Sequence, residues 1–99
     1  MSAVELQGRG EQPDVLDAFG RRDPHAVRAM YQRYGPLTYA IAHHLLGRQD
    51  LAEAAVRRTF IEAAGSAGRI SRHGDPSKWM AELAYRAALA VRTGGGPRA

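Results

Sequence analysis

Cysteine is absent from this 99-residue chain. Disulfide staples, thiolate metal sites and a cysteine nucleophile are therefore excluded, and the lack of disulfides fits a cytoplasmic protein. Apolar residues occur only in short clusters, none near the ~20 consecutive residues that span a bilayer. The N-terminus lacks the charged-then-apolar order of a signal peptide. Strict apolar–polar alternation is missing, so no strand is expected. Histidines are few, and none is spaced for chelation: His43 and His44 are adjacent and point about 100° apart on a helix, while His25 and His73 are remote. No metal or cofactor is expected. Neither a Ser-His-Asp pattern, a phosphate-binding Gly loop after a strand, nor H-E-x-x-H occurs, so the chain does not read as an enzyme. Lysine is nearly absent too, one among 14 basic residues, although the net charge is +4. Arginine favours bidentate contact with phosphate or carboxylate; the Arg and Ala bias fits a GC-rich genome as well.

What is present is 44% hydrophobic residues, enough for one small core. MSAVELQGRGEQ, residues 1–12, reads as a mobile arm, and GGGPRA at the C-terminus as a flexible tail over 94–99. Residues 13–93 between them carry helical patterning throughout. VLDAF (15–19) reads as a short helix capped by Asp14. Asp23-Pro24 is a helix start, and Ala26, Met30, Tyr34, Leu37, Ile41 and Leu45 recur at helical spacing as a buried stripe. Gly35-Pro36 predicts a kink or break near Tyr34, and Gly47 a C-cap. Asp50 with Glu53 suggests a capping box opening a helix with the stripe Ala52, Val56, Thr59, Phe60 and Ala63. GSAGRISRHG (65–74) reads as a loop. Asp75-Pro76 repeats the start signal before a stripe of Trp79, Met80, Leu83, Ala84, Ala87 and Val91. The expected fold is all-α, a small bundle of three main helices plus a short N-terminal one.

Acids such as Asp14, Asp17, Asp23, Asp50 and Asp75 stand where helix starts need caps, which explains them without catalysis. Tyr34, Phe60 and Trp79 fall on the apolar stripes and read as core. Tyr31 and Tyr85 fall beside the stripes and fit either packing or base stacking. Arg69, Arg72, His73 and Lys78, with Arg86 and Arg92 further on, gather in the loop and on the last helix, off the buried stripe. Such a set suits a phosphate backbone, and equally a solvated face.

RRDPHAVRAMYQRYGPLTYAIAHHLLGRQDLAEAAVRRTF, a Gly-containing loop, and DPSKWMAELAYRAALAVR together resemble region 2 of the sigma-70 family, in its extracytoplasmic-function type of bacterial RNA polymerase sigma factor. The Tyr31–Tyr34 pair before Gly-Pro, the LLG at 45–47, Ala52-Glu53, Phe60 and the segment from Trp79 to Ala84 match in order and approximate spacing. The resemblance implies an all-helical domain acting in transcription initiation or its regulation. One helix, residues 51–64 here, would dock on the clamp helices of the polymerase largest subunit through Glu53, Ala54, Arg57, Arg58 and Ile61. The loop at about 66–75 and the following helix would hold the non-template strand of the promoter −10 region through Arg69, Ser71, Arg72, His73, Lys78, Tyr85 and Arg86.

This chain also departs from the pattern. After Ala-Glu the family typically has Asp, two apolar residues, Gln and Glu; here stand Ala54, Ala55, Val56, Arg57 and Arg58. Positions 54, 57, 58 and 61 share one helix face, so the contact edge has changed sign. Ala64 replaces a common Trp, Arg86 and Ala90 replace Asn and Asp, and Ile70-Ser71 replaces an aromatic–acid pair. The family's second helical domain, region 4, has no expected counterpart within residues 1–99; alone, this domain would have to bind polymerase without a tethered second anchor. The alternative is a sigma-like interaction module that binds an anti-sigma factor or another regulator without starting transcription.

Overall fold

The structure is a computed structural model that describes residues 13–69 and 75–94. Among these residues four α-helices run in chain order: α1 (Pro13–Gly20), α2 (Pro24–Leu46), α3 (Gln49–Gly65) and α4 (Pro76–Arg92). Among the described residues there is no strand. The three long helices each pack on the other two, and α1 lies across one end against α2 and α3. This is the small all-α bundle with a short leading helix that the patterning predicts.

Start and stop signals set the long helices. The Asp23 carboxylate accepts from the backbone N–H groups of His25 and Ala26 ahead of α2. Asp75 does the same for Lys78 ahead of α4, and each is followed by Pro at the first helical position. Gly47 closes α2 in the left-handed conformation, φ 73°, where a side chain would be strained.

Two expected caps are differently placed. Helix α1 already begins at Pro13, so Asp14 sits inside its first turn. In α3 the N-cap is Arg48, with no side-chain capping bond. Asp50 lies in the first turn, where its carboxylate takes a two-pronged contact from Arg48 at 3.1 and 2.8 Å. Glu53 accepts from the Gln49 amide at 3.0 Å rather than reaching back to a cap N–H. The segment expected as one loop also differs at its start. Gly65 belongs to α3, residues 67–69 are helical after a turn at Ser66, and Ala67 is buried.

Gly35-Pro36 does not break α2, which is one uninterrupted element with Pro36 inside it. Pro36 removes the N–H that would bond to the Gln32 carbonyl. Both residues are exposed, so the unpaired carbonyl lies on the side open to water. On the buried side the Thr38 hydroxyl donates to the carbonyls of Tyr34 and Gly35, each at 3.0 Å.

The core has two parts. At the α1 end, Leu16, Phe19, Met30, Tyr34, Phe60, Met80 and Leu83 interlock. At the other end the buried residues are all alanines: Ala42, Ala52, Ala55, Ala87 and Ala88. The α2 stripe therefore follows Ala26, Met30 and Tyr34 as expected, then continues through Thr38 and Ala42. Leu37 is exposed, and Ile41 and Leu45 are only partly covered. Small residues let three helices approach closely there, and the larger side chains are displaced to the flanks. Val56, Trp79 and Val91 likewise pack at the edges of the core and are not fully buried.

Candidate interaction surfaces

Helix α3 turns Ala52, Ala55, Thr59, Phe60, Ala63 and Ala64 inward. The remaining arc is the edge singled out from sequence: Glu53, Arg57 and Ile61 are exposed, and Ala54 and Arg58 are half-buried. The fold brings these residues together on one face, as their spacing requires. It also separates the two arginines. Arg58 lies 3.6 Å from Glu62, one turn on. Arg57 makes no hydrogen bond or ion pair among the described residues, and its charge acts on the Tyr31 hydroxyl.

Tyr31 is one of the two tyrosines that the sequence leaves open between packing and stacking. Its ring stacks on Phe60, centroids 4.0 Å apart and planes 14° from parallel. Burial pushes its hydroxyl above the ordinary value, while Arg57 pulls the other way. The pair floors a groove of about 280 Å³ at the junction of α1, α2 and α3, which Phe19, Val27, Ala64, Ile61, Arg57 and Arg22 complete. Arg22 was not singled out from sequence. It occupies the α1–α2 connection with a left-handed backbone, φ 62°, and its guanidinium donates to the Gly20 carbonyl at 2.9 Å. No periodicity marks such a residue; only the path of the turn puts it on the same groove as Arg57.

Helix α4 builds the second surface. Its buried side is Met80, Leu83, Ala84, Ala87 and Ala88. Lys78, Tyr85 and Arg86 lie outward and exposed, Tyr85 at 50%. These three, with Ala81, Glu82 and Ile41 of α2, line an open groove of about 620 Å³. Ile41 read as core from sequence; here it is partly covered and forms one wall. The charges around this groove are two cations to one carboxylate. Arg69 is exposed at the end of the short helical turn after α3, and Arg92 is exposed at the end of α4. Ser71, Arg72 and His73, the remaining expected DNA contacts, lie outside the described residues.

Among the described residues no group of histidines and acids could hold a metal ion. No helix among them is long and apolar enough to cross a membrane. His43 stacks on Tyr39 at 5.6 Å, and His44 is exposed beside it. Comparison with protein-family models, with curated proteins and with solved structures finds no match for this chain.

Proposed function

We propose that this protein is a sigma region 2-like domain that acts in transcription initiation or its regulation, holding single-stranded promoter −10 DNA on the outer face of α4. One observation carries the reading. Tyr85, half exposed, stands over a groove with an apolar wall, with Lys78 and Arg86 on the same rim. An unstacked base gains from an aromatic platform, and cations beside it neutralise the flanking phosphates. Arg69 is a further exposed cation on the chain before α4. The order of motifs along the chain supports the same reading.

The test is binding of a labelled single-stranded −10-like oligonucleotide at several salt concentrations. Replacing Lys78 and Arg86 by Ala weakens binding and flattens its salt dependence, by about 0.7 in log–log slope for each phosphate that is no longer neutralised. Tyr85→Ala weakens binding by roughly 1–3 kcal/mol and leaves the slope unchanged. Unchanged affinity and slope in both variants would mean that this face is merely solvated.

A second reading has its own observation: the α3 edge carries arginines, and Arg57 has no partner among the described residues. A sign change at an interface costs several kcal/mol with the former partner. The α3 edge is then a weakened polymerase contact, or a face for an anti-sigma factor or another regulator. Restoring the family pattern with Ala54→Asp, Arg57→Gln and Arg58→Glu raises affinity for core polymerase in a pull-down on this reading. Equal recovery of the polymerase largest subunit with both chains would remove the role given to the arginines.

A further inference from the structure

The groove beside α3 has a chemistry that narrows its partner. Its floor is the stacked Tyr31–Phe60 pair with Val27 and Phe19, and Ile61 stands at its edge 68% exposed. Its charged lining residues are Arg22 and Arg57, with no carboxylate. The nearby acids have other duties: Asp17 pairs with Arg21, Asp23 caps α2, Glu62 faces Arg58, and Glu53, one turn before Arg57, accepts from the Gln49 amide. Arg22 is held by the Gly20 carbonyl, so part of its position is fixed before anything binds. The two arginines at this rim thus share their groove with no carboxylate and adjoin apolar surface.

From this we propose that the groove docks an acidic protein segment, one that inserts a single large apolar side chain against Tyr31, Phe60 and Ile61 and sets carboxylates on Arg57 and Arg22. The inference rests on the reading of the α3 edge as a protein-binding face and is independent of the DNA reading of α4; the two grooves share no lining residue. Size is compatible with a side chain as the occupant: the groove holds about 280 Å³, at the lower edge of the roughly 300–1,000 Å³ usual for small-molecule sites. An aromatic-floored pocket with arginine at its rim has the composition of an interface anchor point. Arginine meets a carboxylate in two-pronged fashion, which fixes orientation as well as adding attraction. A nucleic-acid strand is the poorer fit, because it needs free cations spaced along its path, and the flanking Arg21 and Arg58 face Asp17 and Glu62.

The experiment uses the full 99-residue chain and two synthetic peptides of equal length. One has a central Leu flanked by Glu; the other has Lys in place of every Glu. Nuclear magnetic resonance shifts of Ile61, Tyr31 and Phe60 report occupancy, and far-ultraviolet circular dichroism checks the fold of each variant. The acidic peptide moves these resonances saturably, and the lysine peptide binds at least about tenfold more weakly. Arg57→Glu, at an exposed position, weakens the acidic peptide by about tenfold or more, and with Arg22→Glu added the preference inverts toward the lysine peptide. Ile61→Ser weakens the acidic peptide without inverting the preference. Equal binding of the two peptides, indifference to Arg57→Glu, no shifts with either peptide, or stronger perturbation of the same resonances by a single-stranded oligonucleotide would each overturn the proposal. Oligonucleotide binding to the Lys78–Tyr85–Arg86 face is read from separate resonances, so failure there leaves this result intact, and the reverse holds as well.

Discussion

Tyr31 and Phe60 lie face to face, ring centroids 4.0 Å apart and 14° from parallel, one belonging to α2 and the other to α3. Phe60 is buried and also meets Phe19 edge-on at 6.4 Å. Tyr31 is 37% exposed. At this stack the core reaches the surface, and the groove floor rests on the buried core beneath it. Phe60→Ala removes that support and is expected to cost about 3–5 kcal/mol, measured as a shift in the denaturant midpoint. A loss below ~1 kcal/mol would show that Phe60 does not join the helices.

The same stack sets the ionisation of Tyr31. Burial raises its pKa above the ordinary 10.0, and the Arg57 charge opposes the rise. A raised folded-state value means that the neutral hydroxyl is favoured on folding. Its contribution to stability is complete below the unfolded value and is lost as pH climbs through the folded one. Ultraviolet titration should give Tyr31 a midpoint above that of free tyrosine. Arg57→Gln should move it further upward, and a downward move would contradict the placement of the guanidinium beside the ring.

Met80 is completely buried and Trp79 only partly. Met80→Ala is expected to cost about 2–5 kcal/mol, and Trp79→Ala less, because Trp79 packs at the edge of the core with part of its surface in water. Chemical denaturation of the two variants measures the order. Trp79 is the only tryptophan in the chain, so its emission maximum tests the same point. An emission typical of full burial, or a larger loss for Trp79→Ala, would reverse the assignment.

Pro36 sits inside α2 with its partner carbonyl on the open side. Replacing it by Ala restores a backbone hydrogen bond and is expected to stabilise the chain by about 1–3 kcal/mol, less the entropy that proline withholds from the unfolded state. Destabilisation would mean that Pro36 positions something that Ala cannot.

Asp75 caps α4. The Ser77 hydroxyl, then the Lys78 N–H, hold its carboxyl below the ordinary range. A depressed folded-state pKa gives stability that is present above the unfolded value, about 3.9, and lost as pH falls through the folded one. Asn caps nearly as well as Asp but does not titrate. Asp75→Asn should therefore flatten the acid limb of the melting-temperature profile below pH ~4, with little change near neutrality. Asp50, lowered chiefly by its hydrogen bond from Arg48, acts in the same sense. An unchanged acid limb when Asp50→Asn and Asp75→Asn are combined would show that other carboxylates govern it.

Local rules made much of the fold legible. Asp23-Pro24, Gly47 and Asp75-Pro76 mark helix ends through backbone chemistry that acts within four residues, and each stands where the spacing put it. The outer arc of α3 was legible for a similar reason, since positions 54, 57, 58 and 61 must share a face on any regular helix. At Gly35-Pro36 the local rule failed, because a helix flanked by two others keeps its course when the missing bond faces water.

The sequence by itself determined that the chain is helical, where its long helices begin and which edge of α3 faces outward, because hydrogen bonding and 3.6-residue periodicity are properties of a short segment. Tertiary structure decided the rest. Small residues admit close approach of helices, so Thr38 and Ala42 went inside while Leu37 stayed out and Ile41 became a groove wall. Likewise, Arg22 and Arg57 line one groove with the Tyr31–Phe60 stack only because the turn at 21–23 folds α1 across the bundle. Distance along the chain carries no record of which charges share a rim; that depends on how three helices pack.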